Sequence, residues 1–265
     1  MGNVPAHRAR KRFGQNFLND SGIIQQIVDA IHASGADHLV EIGPGKGAIT
    51  QELLPVCQQL DAIELDRDLL PILQNRFSAE SHFTLHSADA LKFDFCKLQQ
   101  NQKLRIVGNL PYNISTPLIF HILDKRECIH DMHFMLQKEV VDRLAAAPGS
   151  KAYGKLSIMT QVQCEVESLF EIPPEAFDPA PKVQSAFVRL TPRQQPLVSS
   201  DVLPQFEKLV TAAFAQRRKT LRNNLKKIIN IEQAQEIIDL SRRAETLTIE
   251  NFLALTRSMT SEQQT

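Results

Sequence analysis

The chain has 265 residues, enough for one large domain and a small one. Its hydrophobic fraction of 43% and charged fraction of 23% are those of a globular protein with an ordinary core. No apolar run reaches the roughly 18 residues of a membrane span, and the net charge is zero, which excludes a uniformly basic or acidic chain.

The charge is nevertheless uneven. Residues 1–12 carry four basic groups and no acid, residues 13–181 carry 13 basic and 22 acidic groups, and residues 182–265 carry 13 basic and 8 acidic. Two basic ends around an acidic middle suit a protein that grips a polyanion by its edges. Met1 to Asn19 contains no acid and no apolar core of a secretory signal, so we expect a basic arm that stays on the protein. The cysteines Cys57, Cys96, Cys128 and Cys164 include no Cys-x-x-Cys pair, which predicts reduced thiols in a cytoplasmic protein, with neither a zinc site nor a disulfide framework.

In chain order, Asn19-Asp20-Ser21 offers a helix cap before Ile23, Ile24, Ile27, Val28 and Ile31 at helical spacing, with Gly35 as the stop. Short apolar runs at 38–42, 60–65, 82–86, 104–108 and 131–136 read as strands, with helical segments at 68–77 and after Thr116-Pro117. Residues 162–172 and 183–190 alternate and are expected to close the sheet as an antiparallel pair. This alternation predicts an α/β fold: a doubly wound, mostly parallel, Rossmann-like sheet. Pro192 and the polar run Gln194-Gln195-Pro196 look like a linker. Beyond it only helices are predicted, at 202–215, 220–229, 231–240 and 248–259. The expected domains are therefore residues 1–192 and a small all-α domain at residues 198–265.

Val40 to Ala48 contains Gly43, Gly45 and Gly47 between a strand and a helix. Glycines there let the backbone turn sharply and approach a ligand closely. The loop lacks the Gly-Lys-Ser/Thr of a phosphate-cradling Walker loop but nearly matches a dinucleotide fingerprint. Glu64 ends the next strand, where an acid accepts from both ribose hydroxyls. Asp89 follows the third strand, where an acid can accept from the adenine amine of a bound cofactor; a lone Asp there also serves as a helix cap. In a doubly wound sheet these strand ends converge on one crevice. Two cofactors compete: a nicotinamide dinucleotide and S-adenosylmethionine, which has no pyrophosphate and needs acids on ribose and adenine.

The fourth strand favours the second. It ends in Asn109-Leu110-Pro111-Tyr112, a cluster without use in hydride transfer. The exocyclic amine of adenine is a poor nucleophile, because its lone pair is delocalised into the ring. The side-chain oxygen of Asn109 and a backbone carbonyl, most simply that of Leu110, can hold both amine hydrogens and favour a pyramidal nitrogen. Pro111 stiffens the loop, and Tyr112 offers a stacking face worth ~1–3 kcal/mol per base. The bland alternative for this segment is a β-turn. No metal is required; Cys128, His130 and His133 lack a fourth ligand.

At this point the chain resembles the ribosomal RNA adenine dimethyltransferases, in the small-subunit branch linked to kasugamycin resistance. The likeness rests on Arg12 to Leu18, Glu41 to Gly47, Asn109 to Ser115, Phe177 to Ala186 and Phe214 to Leu221, in that order. The resemblance implies a class I methyltransferase in which Asn16 and Leu18 join Gly43, Glu64, Asp89 and Asn109 around S-adenosylmethionine, and in which Phe177 stacks on the target adenine opposite Tyr112. It also implies the substrate: two adjacent adenosines in a hairpin loop near the 3′ end of 16S rRNA, each taking two methyls within an assembling 30S subunit. On pattern alone, Leu18 and Phe177 read as core residues.

Arg217, Arg218, Lys219, Arg222, Lys226 and Lys227 form a basic segment without an acid. Helical spacing would put Arg218, Arg222 and Lys226 on one face. Phosphate contact is the expected role, against the alternative of a solvated helix face. Neither a heptad nor a self-complementary segment is evident, so a monomer is expected. The competing functions are a non-catalytic ribosome assembly factor on the same fold and a nicotinamide oxidoreductase.

Overall fold

The computed structural model describes residues 15–261. The basic arm expected at the N-terminus lies outside the described residues, apart from Gln15 to Asn19. The chain divides into two compact units: residues 1–141 with 167–192, and residues 142–166 with 193–265. The second unit therefore is not drawn from the C-terminal segment alone, because residues 142–166 pack with the helices that follow residue 193.

In the first unit, β1 (Phe17–Leu18) precedes α1 (Ser21–Ile31). Asp20 caps α1 by accepting from the Ile23 N–H at 2.9 Å, and Ile27 and Ile31 form its buried face. The helix stops at His32, which takes a left-handed φ of 51°, before the glycine expected to end it. Then follow β2 (His38–Ile42), α2 (Ala48–Leu53), β3 (Gln59–Glu64), α3 (Leu70–Arg76), β4 (Phe83–Ser87), β5 (Leu104–Asn109), α4 (Ser115–Leu123) and β6 (Ile129–Gln137). The helix α5 (Lys138–Leu144) spans the boundary; β7 (Cys164–Ile172), β8 (Phe177–Asp178) and β9 (Ser185–Pro192) complete the strands.

The main sheet has the order β4-β3-β2-β5-β6-β9-β7. The β2–β3, β2–β5, β3–β4 and β5–β6 pairs are parallel, and β9 runs antiparallel to β6. Every residue of β2 is buried, as befits a central parallel strand covered on both faces. A separate two-stranded ribbon joins β1 to β8, with Phe17 opposite Asp178 and Leu18 opposite Phe177. It has no counterpart in the sequence pattern, since two residues show no periodicity.

His38, Asp61, Arg105 and Asp131 are buried toward the N-terminal ends of β2, β3, β5 and β6. Arg105 donates to Asp131 at 2.9 and 2.8 Å and to Asp37 at 3.0 Å. Asp61 lies between His38 at 2.6 Å and His86 at 2.5 Å. Burial alone would raise the Asp61 carboxyl, but these two imidazoles outweigh it and hold it at about 2.

One expectation is overturned: Cys96 and Cys128 are joined by a disulfide with an S–S distance of 2.13 Å. They are 32 residues apart, and spacing alone does not show that the turns before β5 and β6 lie side by side. Cys57 and Cys164 are free and buried.

The second unit holds α6 (Lys155–Gln161), α7 (Leu203–Ala213), α8 (Leu221–Leu225), α9 (Ile231–Ile237) and α10 (Ile249–Ser261). Its core gathers Tyr153, Phe206, Leu221, Leu225 and Phe252. Phe214 contacts both Tyr153 and Phe252 through ring faces and edges. Among the described residues, no helix is long and apolar enough to cross a membrane.

Candidate active site

The C-terminal ends of β2, β3 and β5 open onto a cavity of about 480 Å³ in the first unit, a size suited to a small organic ligand. This is the crevice a doubly wound sheet provides. The loop from Gly43 to Lys46 lines it. Gly43 sits at φ 66°, where a side chain would be strained, and a Cβ there would come to 3.8 Å of the Asn109 carbonyl oxygen.

Three of the predicted acids and amides line it together: Glu64, Asp89 and Asn109. Glu64 ends β3 and is 6% exposed; its Oε1 accepts from the Asp66 N–H at 2.8 Å. Burial raises its carboxyl, while the backbone N–H groups of Asp66, Gly45 and Leu65 pull the other way. One Asp89 oxygen accepts from the Leu91 N–H at 3.0 Å within a turn, and the residue lines the cavity. Glu41, which the sequence pattern does not single out, also lines the cavity and accepts the Thr50 hydroxyl at 2.5 Å. Burial, opposed by the Thr50 bond and reinforced by Glu64, pushes the Glu41 carboxyl up to about 7.

Asn16 and Leu18 lie on the other wall. Leu18 is 7% exposed and belongs both to the core and to the lining. The Asn16 carbonyl accepts the Asn109 side-chain N–H at 2.9 Å. That bond fixes the amide: with nitrogen turned to Asn16, the Asn109 side-chain oxygen is left for the cavity. Gln15 donates to Asp66 at 3.0 Å, so the segment before β1 is tied at both the β3 and β5 ends.

Leu110, Pro111 and Tyr112 follow along the lining. The Leu110 N–H donates to the Met135 carbonyl at 3.2 Å, which anchors the segment on β6. The Tyr112 hydroxyl pairs with the Ser185 hydroxyl at 3.0 Å, and the Tyr112 carbonyl accepts from Ser115 at 3.2 Å. The ring is thereby held from both ends. No sequence pattern points to Ser185, because it sits at the start of β9, 73 residues away.

Phe177 is placed differently from the other members of the set. It is 4% exposed, packs in the core cluster with Leu18, and does not line the cavity, whereas the next residue, Asp178, does. The basic residues lie in the second unit. Arg217, Arg218, Lys219, Arg222 and Lys226 are all exposed. They do not share one helical face, which corrects the expectation from spacing. Arg217 to Lys219 are in turns, Thr220 is extended at φ −72° and ψ 161°, and only Arg222 lies within α8, with Lys226 at its C-cap. Among the described residues, no group of three His, Cys, Asp or Glu is placed to hold a metal ion.

The ribosomal RNA adenine dimethylase family model matches residues 6–261 of this chain. The chain belongs to the ribosomal RNA adenine dimethylases. Its similarity to individual members is also high. It is 59% identical to the ribosomal RNA small subunit methyltransferase A of Saccharophagus degradans, covering 97% of this chain and 96% of that one. The corresponding protein of Pseudomonas aeruginosa is 54% identical over 98% and 97% of the two chains. In structure the chain is similar to a dimethyladenosine transferase from Plasmodium falciparum, with a TM-score of 0.81, 23% identity and coverage of 93% and 98%. It is likewise similar to the 23S rRNA methyltransferase ErmE, with a TM-score of 0.74, 23% identity and coverage of 92% and 100%. The fold is thus that of a class I methyltransferase, and the cofactor of this dimethylase is S-adenosylmethionine. Acids at two adjacent strand ends and an oriented amide at the third fit its hydroxyls, its adenine amine and the base that approaches its methyl group.

Proposed function

We propose that this dimethylase methylates the exocyclic amines of two adjacent adenosines in a hairpin loop near the 3′ end of 16S rRNA, as a monomer acting on the assembling 30S subunit in the cytoplasm. The name its relatives carry, ribosomal RNA small subunit methyltransferase A, supports the choice of subunit. In this reading Glu64 binds the ribose hydroxyls, Asp89 the cofactor's adenine amine, and Gly43, Asn16 and Leu18 complete the wall around it. The cofactor supplies an electrophilic methyl, so the chain's own task is to bind and orient. The observation that carries the reading is the Asn109 amide, whose nitrogen is committed to the Asn16 carbonyl; its oxygen is thereby left to accept from the target amine.

Alignment of this kind contributes up to ~7–11 kcal/mol to a barrier. Tyr112, fixed by Ser185, offers the base one ring face. Phe177 is assigned to the opposite face, and since its ring is buried, this role requires it to leave the core when RNA binds. Arg217, Arg218, Lys219, Arg222 and Lys226 are assigned to phosphates. The deciding experiment is methyl transfer to undermodified 30S particles followed by nucleoside analysis. Dimethyladenosine at two adjacent positions is expected. Its absence, with cofactor binding intact, would leave a non-catalytic assembly factor.

A further inference from the structure

The strand order β4-β3-β2-β5 sets four strand ends in a row along the cavity. Asp89 follows β4, Glu64 ends β3 and Asn109 ends β5. The loop after β2 lies between the ribose acid and the methyl-transfer amide, and it carries Lys46. We infer that Lys46 is the counter-ion for the carboxylate of the cofactor's amino-acid end. The inference rests on the cofactor lying in this cavity as proposed above.

Charge supports it. The carboxylic acids that line the cavity are Glu41, Glu64, Asp66, Asp89 and Asp178, and the cationic side chain among them is Lys46. Lys46 is the single Lys or Arg among the described lining residues. S-adenosylmethionine brings a sulfonium and an ammonium, which the ionised lining carboxylates favour, and one carboxylate, which they repel. That carboxylate needs a cation, and Lys46 supplies one without other commitments: among the described residues its ammonium contacts no carboxylate. It lies instead 4.7 Å from the centroid of the Phe17 ring on β1. This packing holds the half-buried side chain over the loop and leaves ammonium N–H groups free to donate. The loop itself is pinned from outside, where Arg76 donates to the Lys46 carbonyl at 2.6 Å.

The test is calorimetric titration of the wild type, Lys46→Met and Lys46→Arg with S-adenosylmethionine and with its decarboxylated analogue. The wild type should prefer the carboxylate-bearing form by about 10-fold, the yield of one charge-assisted hydrogen bond. Lys46→Met should weaken S-adenosylmethionine by about the same factor and leave the analogue within about 2-fold, so that the preference collapses or reverses. Lys46→Arg should keep the preference. Equal weakening of both ligands by Lys46→Met would reduce the residue to a packing partner of Phe17 and overturn the inference. So would unchanged cofactor affinity with weakened RNA binding. A wild type that binds S-adenosylmethionine without distinguishing the analogue would overturn it while sparing the cofactor site, whereas a wild type that binds neither would overturn the site as well.

Discussion

Asn109 is held with a defined polarity. Its side-chain N–H is committed to the Asn16 carbonyl at 2.9 Å, so in the proposed reaction its oxygen is the atom left for substrate. Asn109→Ala should therefore lower the single-turnover rate by at least ~100-fold, the scale of losing one oriented group that acts in the transition state, with RNA binding largely intact. Asn109→Asp makes a sharper test. It keeps an acceptor but sets a carboxylate against the Asn16 carbonyl, so its rate should fall about as far; a near-wild-type rate would show that the Asn16 anchor does not matter. Tyr112 and Ser185 form a second pair that can be separated by a cycle. Each of Tyr112→Phe and Ser185→Ala removes the same 3.0 Å bond, for ~1 kcal/mol or roughly 5-fold in kcat/KM. If that bond orients the ring, the double variant should lose no more than either single one. Additive losses in the same assay would mean that the two residues act separately.

The elements decide how precisely these side chains are placed. Gly108 sits in β5 opposite Ile42 of β2, and a Cβ there would come within 2.6 Å of the Ile42 carbonyl oxygen. Both atoms belong to a central parallel ladder, so neither yields without shifting Asn109. Gly108→Ala should cost ~1–3 kcal/mol in denaturant unfolding and depress transfer further than the stability loss explains. The basic segment behaves differently, because Thr220 breaks it into a turn and a short helix. Its charges present an irregular surface, and Arg217 is already tied to the Lys151 carbonyl at 2.9 Å. Neutralising Arg217, Arg218 and Lys219 together should weaken RNA binding and flatten its salt dependence. The slope should fall by ~0.7 for each single-strand phosphate that no longer meets a cation. An unchanged slope would remove these residues from the interface.

Across the whole molecule, legibility follows periodicity. The parallel strands are short runs rich in apolar residues, so β2 to β6 can be read, the edge strand β4 included, and with them the strand ends near Glu64, Asp89 and Asn109. The β1–β8 ribbon, the Cys96–Cys128 pair and the Tyr112–Ser185 bond depend on segments distant in the chain, and no local pattern encodes them. Asn16 enters only through family resemblance, since its role is played by a backbone carbonyl. The buried charges form another layer invisible in sequence, and they give the fold a composite pH profile. Burial pushes Glu41 up to about 7 from an ordinary 4.5, so its ionisation costs stability as pH rises through that interval. His133 is the reverse case. Burial, opposed by Asp131 and aided by Arg105, Arg189 and His130, lowers it to about 4 from 6.5. Its contribution is full above 6.5 and is lost as pH falls through 4. The two slopes oppose each other where their windows overlap and partly cancel in the wild type. Glu41→Gln should expose the His133 slope: urea midpoints of the variant should rise with pH up to 6.5 more steeply than those of the wild type. Over the Glu41 window from 4.5 to about 7 the difference should grow to on the order of 3 kcal/mol. Parallel curves for variant and wild type would show that Glu41 ionises in the folded protein no differently from a carboxyl in water.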